Sequence, residues 1–352
     1  MVLVGFIIAL ITSFYLLARI SDHYFVESLD KIAAKLKLSH EMAGATLMAI
    51  GSSAPELFVA IISLVRAGDH QAIGIGTIVG SALFNILVII GASALVRSAK
   101  LIWQPVFRDL FFYLVAVVIL FLVLQSGAVT LLESLIMVGV YVLYVLAVRY
   151  GKLLFNFADG DIMDDDEPFI DDSLDGWKII FKPLHLILDR IFPPKENYWW
   201  TFLFSIGAIA FLCWVLVESA IGISHILNIP EVIIALTVLA IGTSIPDMIS
   251  SVIVAKQGRS GMAVSNAIGS NIFDVLIGLG LPWLLILAFT DDGISTSTDS
   301  LFESVVLLIA SVVFIFLTLL IGKWKMGKRT GIFLIALYVF YLGREIYKIY
   351  VL

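Results

Sequence analysis

Apolar residues in this chain gather into ten long runs, near residues 2–20, 40–66, 74–95, 106–124 and 129–149 and again near 200–221, 231–255, 263–287, 301–321 and 331–350. Each is close to the ~20 residues that cross about 30 Å of hydrocarbon. They predict an all-α polytopic membrane protein of ten transmembrane helices. One long polar region interrupts them, dividing the chain into 1–154, a loop at 155–197, and 198–352. The first run, Val2 to Ile20, has neither a basic start nor a small-x-small cleavage pattern, so it reads as a retained helix rather than a signal peptide.

Lys and Arg fall in alternate short loops, which sets the orientation. Basic loops carry Lys31, Lys35 and Lys37; Arg97, Lys100 and Arg108; Lys152; Lys256 and Arg259; and Lys323, Lys325, Lys328 and Arg329. The intervening loops at Gln125 to Thr130, His225 to Pro230 and Thr290 to Ser300 have no Lys or Arg, and the loop after the second run has only Arg66. Both termini are therefore expected outside and the central loop in the cytoplasm. Five helices per half is an odd number, so the second half enters the membrane from the opposite side. The two halves are predicted to be inverted repeats, a transporter arrangement with a midplane site.

Composition agrees with the pattern. At 61% hydrophobic and 14% charged residues, with a mean hydropathy of +1.05, the chain is too apolar for a soluble globule. The net charge of −6 says little about partners, because much of it sits between Asp159 and Asp175. Nucleic acid is an unexpected partner; the lipid bilayer is the expected one. The single cysteine, Cys213, can form no intrachain disulfide. The acidic tract reads as a solvated linker, with a regulatory cation site as the alternative. It does not fit an EF-hand, since Asp164 stands where glycine is needed and Ile170 where a bidentate glutamate is needed. Trp177 to Ile191 mixes Lys178, Lys182 and Arg190 with apolar residues and suits the cytoplasmic headgroups. Residues 21–39, with Leu29, Ile32, Ala33 and Leu36 at helical spacing, resemble a second surface helix that packing alone could also explain.

Candidate chemistry enters through a duplication. Gly44-Ala-Thr-Leu-Met-Ala-Ile-Gly-Ser-Ser-Ala-Pro-Glu56 is echoed by Thr237-Val-Leu-Ala-Ile-Gly-Thr-Ser-Ile-Pro-Asp247 at an offset of 191 residues. Each copy has a sequel, Gly80-Ser-Ala-Leu-Phe-Asn85 and Gly269-Ser-Asn-Ile-Phe-Asp274, offset by 189. A carboxylate at the centre of a spanning helix costs about 2.5–3.5 kcal/mol on insertion scales, against about 0.3–0.6 returned by a Leu or Ile. Glu56, Asp247 and Asp274 are therefore expected to be functional. The motif-bearing helices offer no midspan Lys or Arg, so a mobile hard cation is the natural partner, held by carboxylate, hydroxyl and carbonyl oxygens. Gly51 and Pro55, like Gly242 and Pro246, weaken the helix ahead of each acid and are expected to break helices 2 and 7. Ser52, Ser53, Thr243 and Ser244 add hydroxyls. Any one such serine could simply bond its own helix, so only the symmetric set is informative. Ser81 and Asn85, and likewise Ser270 and Asp274, are four apart on one helix face and are expected to face Glu56 and Asp247. Gly76 and Gly80, and the small residues before Ser270, are expected to serve close helix packing.

These paired motifs resemble the two alpha-repeats of the cation/Ca²⁺ exchanger superfamily, and within it the K⁺-dependent Na⁺/Ca²⁺ exchangers. The likeness extends through Trp103-Gln-Pro-Val-Phe-Arg-Asp109 and Pro282-Trp283. It departs in a short first extracellular end and a compact central loop. The resemblance implies an antiporter, not an enzyme, with no cofactor and with Ca²⁺, Na⁺ and K⁺ as substrates, in the cell membrane. Glu56 and Asp247 would be the main Ca²⁺ carboxylates, with Asn85 and Asp274 completing a central cluster. Ala49 and Ala240 would give backbone carbonyls, and Ser52, Ser53, Ser81, Thr243, Ser244 and Ser270 would line Na⁺ positions. Asp274 marks the K⁺-dependent branch. Three ionised carboxylates would balance Ca²⁺ plus K⁺; a protonated Asp274 would leave Ca²⁺ alone in balance and fit a K⁺-independent exchanger. The nearest rival is a Ca²⁺/H⁺ exchanger on the same repeats. An aspartyl protease using Asp247 and Asp274 leaves Glu56 and the duplication unexplained, and a channel predicts flux without counter-transport.

Overall fold

Proline, glycine and π turns decide where the long apolar helices bend. The computed structural model describes residues 1–35, 49–66, 68, 70–155, 188, 190–193, 197–256, 260–290, 294–296 and 299–351. α1 (Val2–Ile20) passes through a π turn at Ser21–Val26 into α2 (Glu27–Lys35). The next described helices are α3 (Ala49–Ser52) and α4 (Ala54–Val65). α5 (Gln71–Phe84) continues through a π turn at Asn85–Ile89 into α6 (Ile90–Val96). β1 (Ala99–Lys100), α7 (Trp103–Ser126), β2 (Ala128–Val129) and α8 (Leu131–Phe155) complete the first half.

The second half opens with α9 (Tyr198–Leu227). α10 (Glu231–Ile234) passes through a π turn at Ala235–Leu239 into α11 (Ala240–Lys256). α12 (Ser260–Phe273) passes through a π turn at Asp274–Leu279 into α13 (Gly280–Leu287). β3 (Ile294–Ser295), α14 (Asp299–Ile321), β4 (Lys325–Met326) and α15 (Lys328–Val351) end the chain.

Among the described residues, eight helical segments are long and apolar enough to cross a membrane. The remaining two predicted runs correspond to α4, a shorter apolar helix, and α15, whose Arg344, Glu345 and Lys348 lower its hydropathy. Burial sorts inner helices from outer ones. The segment Gln71–Val96 is 94% buried along its apolar window and Ala263–Leu287 is 67% buried, against 22% for the α1 segment and for Leu131–Gly151. The motif-bearing helices are thus central and the plain apolar ones face outward, as expected where lipid is as good a solvent as Leu.

Two expectations need correction or completion. Helix 2 breaks as predicted, at Ser53, whose backbone leaves the helical region, and Pro55 then sits in the first turn of α4, where its missing N–H costs nothing. Helix 7 does not break at Gly242–Pro246: α11 runs unbroken through Pro246. The irregularity lies earlier, in the π turn at Ala235–Leu239, two to three turns before the proline. The amphipathic stretch falls mostly outside the described residues, as do the acidic tract and Gly44 to Met48. Of its described residues Leu188 is buried and Ile191 exposed, and Phe192, just past it, stacks 4.1 Å from Tyr24. Leu29 and Ile32 of α2 are buried too, so on the described part of 21–39 packing accounts for the spacing.

Two short strand pairs tie the loops together. β1 pairs antiparallel with β4, Ala99 opposite Met326, and β2 with β3, Ala128 opposite Ser295. A second apolar cluster, built largely from Leu10, Leu17, Ile209, Leu212, Leu216 and Val217 of α1 and α9, lies apart from the main core.

Repeat-equivalent glycines are not equivalent here. A Cβ on Gly80 would strike the Leu236 carbonyl oxygen and come within 2.6 Å of Ala240 Cβ, both on the neighbouring helix 7. Its counterpart Gly269 would meet only Tyr144 Oη at 3.6 Å, an ordinary contact. Gly80→Ala is expected to destabilise by about 1–3 kcal/mol through overpacking against backbone, while Gly269→Ala stays within about 0.5 kcal/mol of wild type. Thermal melts of the two variants in detergent check this, and equal losses would contradict it.

Candidate cation site

The break at Ser53 places Glu56 in the first turn of α4, where free N–H groups and the helix dipole favour negative charge. Asp247 has no such help, lying well inside α11. Asn85 and Asp274 are each the first residue of a π turn, at equivalent positions of the two sequels. Single-turn π bulges inside helices are frequent at functional sites. Glu56, Asn85, Asp247 and Asp274 are all buried, with exposures of 1%, 0%, 4% and 1%.

Helix 3 meets helix 7 at the site. Ser81 Oγ lies 2.7 Å from Ser244 Oγ and donates to Glu56 Oε1 at 3.4 Å. Thr243 approaches the same Glu56 carboxylate, and Asp274 lies within electrostatic reach of Glu56 and Asp247 and beside Ser53. Residues from both motif copies and both sequels therefore converge. Asn85 Nδ2 donates to Asn271 Oδ1 at 2.8 Å and lies 3.5 Å from Ser270 Oγ, two contacts with the second sequel that helical spacing does not reveal.

The hydroxyl set divides. Thr243 and Ser270 each donate to a carbonyl of their own helix, Leu239 and Ala267, at 3.1 and 3.3 Å. Thr237, aligned with Thr46 in the motif, does the same to Ile233 at 2.6 Å. Ser81 and Ser244 instead bond across the helix crossing. Ser53 is fully buried and Ser52 half-buried, Ala49 opens α3, and Ala240 directly follows a π turn. Of the twelve buried side-chain atoms without a hydrogen-bond partner among the described residues, four belong to candidate site residues: Ser53 Oγ, Glu56 Oε2, Asn85 Oδ1 and Asp274 Oδ1. Buried polar atoms are rarely left so, and all four are acceptors suited to a cation.

Among the described residues, no three His, Cys, Asp or Glu side chains are gathered closely enough to hold a metal by themselves. A cation here has to take its remaining ligands from hydroxyl, amide and carbonyl oxygens, which hard cations accept readily. Three further residues belong to the site's surroundings: Asn271 and Tyr113, both fully buried, and Cys213, whose Sγ lies 3.5 Å from the Pro55 carbonyl next to Glu56. Of these, Asn271 had a signal in the sequence, because the two sequels differ there, with Ala82 in the equivalent position.

A family model described as sodium/calcium exchanger protein matches residues 6–150 and 197–347. The chain belongs to that family. Membership covers both halves and omits only the central loop and the extreme ends. Sodium/potassium/calcium exchanger 4 of Homo sapiens is 28% identical over 94% of this chain and 79% of its own length. Sodium/potassium/calcium exchanger 2 of Gallus gallus is 28% identical over 96% of this chain and 76% of its own. Among solved structures, the H⁺/Ca²⁺ exchanger CAX superposes with a TM-score of 0.72 over 96% of this chain and 81% of its own, at 15% identity. The sodium–calcium exchanger NCX_Mj gives 0.59 over 97% and 99%, at 22% identity. Both likenesses establish the family member's fold.

Proposed function

We propose that this chain is a secondary active antiporter that uses the Na⁺ gradient to expel Ca²⁺ and carries K⁺ with Ca²⁺, by alternating access at a midplane carboxylate site. The observation that carries the reading is the convergence of both motif copies on one buried point, where Ser81 lies 2.7 Å from Ser244 and 3.4 Å from Glu56. Glu56, Asn85, Asp247 and Asp274 are the Ca²⁺ ligands in this reading, and the hydroxyls of Ser52, Ser53, Ser81, Thr243, Ser244 and Ser270 with the carbonyls of Ala49 and Ala240 complete overlapping Na⁺ and Ca²⁺ positions. Competition for the same oxygens makes one cation set leave before the other enters. An empty site holds unpaired carboxylates in a low-dielectric passage, which opposes the switch between faces and enforces exchange.

The architecture in this proposal is ten helices in two inverted five-helix repeats, in the cell membrane, with both termini outside and the central loop cytoplasmic. The strand pairing supports it. β1 and β3 follow equivalent helices of the two halves, as do β2 and β4, so the β1–β4 and β2–β3 pairs exchange under the repeat relation. α1 and α9, with their separate apolar cluster, are the elements that slide.

K⁺ coupling rests on Asp274 standing where the first repeat has Asn85, and on the relatives named as sodium/potassium/calcium exchangers. The test is Ca²⁺ uptake into Na⁺-loaded proteoliposomes with and without external K⁺. Wild type is expected to need K⁺, and Asp274→Asn to lose that dependence. K⁺-insensitive uptake by wild type would remove the K⁺ assignment and leave Na⁺/Ca²⁺ exchange standing. Uptake driven by a pH gradient but not by Na⁺ would replace it with Ca²⁺/H⁺ exchange.

A further inference from the structure

Asn271 is buried, uncharged and absent from the ligand set above, yet it joins three inner helices. Its Nδ2 lies 3.1 Å from the Ala82 carbonyl oxygen of α5 and 3.1 Å from Tyr113 Oη of α7. Its Oδ1 accepts from Asn85 Nδ2 at 2.8 Å. The Ala82 carbonyl can only accept, so the Asn271 group facing it has to be the NH₂. Asn271 Oδ1 is then fixed toward Asn85, and an oxygen in that position requires Asn85 to present its own NH₂. Asn85 Oδ1 is left on the other side, buried and without a hydrogen-bond partner among the described residues.

We infer that Asn271, anchored by Ala82 and Tyr113, is a positioning residue that holds the Asn85 amide with its oxygen, rather than its NH₂, toward the cation site; this rests on the reading of that site given above. Reversing the Asn85 amide would set two carbonyl oxygens against each other at Asn271 and turn two N–H donors toward the cation. Asn85, Asn271 and Tyr113 are all fully buried, so water cannot compensate either change.

The repeat relation explains why one such residue suffices. Positions 82 and 271 are equivalent at the 189-residue offset, so Asn271 bonds the backbone of its own counterpart. The two positions meet face to face, and fully buried Ala82 leaves space for the single Asn. That Asn serves Asn85, whose two ends differ chemically. The counterpart of Asn85 is Asp274, a carboxylate whose two oxygens both accept, and it needs no orienting partner.

Ca²⁺ binding to the purified full-length protein in detergent, measured by isothermal titration, tests the relay. Asn271→Ala is expected to weaken Ca²⁺ binding about tenfold, as is Asn85→Ala, since each forfeits one oriented hydrogen-bonding group. The double variant should bind no more weakly than Asn85→Ala alone, because the relay then has nothing to orient. Tyr113→Phe, a milder change that keeps the Ala82 anchor, should weaken binding about two- to threefold in the wild-type background and not at all in Asn85→Ala. In proteoliposomes the KM for Ca²⁺ should rise with the maximal rate kept within about twofold. Unchanged affinity in Asn271→Ala, or losses that multiply in the double variant, would overturn the inference. A wild-type protein that binds no Ca²⁺ would overturn the cation-site reading itself, and the two failures are told apart in the unsubstituted protein.

Discussion

Glu56→Gln abolishes Ca²⁺ uptake into Na⁺-loaded proteoliposomes, with a loss of at least about 100-fold, while the protein inserts and elutes like wild type. Glutamine keeps the shape of the side chain and one acceptor oxygen, so it still takes the bond from Ser81 now made to Oε1. It removes the negative charge and replaces one acceptor with a donor. Glu56 Oε2 has no hydrogen-bond partner among the described residues, so the substitution is expected to leave folding largely intact. A cation depends on it heavily. An interaction of about 3 kcal/mol with a charged group corresponds to about 100-fold. Uptake within tenfold of wild type would remove Glu56 from the site.

Asp109→Ala is expected to cost about 3 kcal/mol of stability and most of the folded yield. Asp109, on α7, is 2% exposed; it accepts from Arg108 Nε at 2.8 Å and from Ser265 Oγ of α12 at 3.3 Å. Removing the carboxylate leaves Arg108, itself about one-fifth exposed, without its partner, and truncating one side of a buried pair costs about 3–5 kcal/mol. The partial exposure of Arg108 places the expected loss at the lower end. Ser265 lies five residues before Ser270, so the same contact fixes the helix that carries Asp274. Asp109→Asn keeps one acceptor oxygen for Arg108 and the volume of the side chain, and should lose about half as much. Melting temperatures of the two variants decide it: a drop for Asp109→Ala no larger than that of the exposed Arg66→Ala control, which breaks the surface pair with Glu218, would contradict the argument.

Much of the site was legible in the sequence because a carboxylate in an apolar run is improbable without a use, and a duplicated one more so. Glu56 and Asp274 stand out on that ground and Ser81 and Ser244 as hydroxyls of the repeated motifs; Ser81 bonds Glu56 and Ser244, and Asp274 lies within electrostatic reach of Glu56. Asn85 is legible as a polar residue on the face of Ser81, but helical spacing cannot say that a π turn begins at Asn85 or that Asn271 sits opposite it. Proline was a sound signal for weakness in the helix and a poor one for where it appears. Pro55 begins a new helix, whereas Pro246 is absorbed in a continuous one.

By itself the sequence determined the lengths and locations of the apolar runs, the duplication of the acidic motif, and the residue types available to a cation. Those are properties of composition along one dimension, and hydrophobic length and charge cost report them directly. Tertiary structure alone decided which of two equivalent positions does what. Gly80 is pressed against helix 7 while Gly269 has room, and Ala82 yields its carbonyl to Asn271. Duplicated sequences become unequal when they pack against each other, because contacts near the axis that relates them have space for one side chain and not for two.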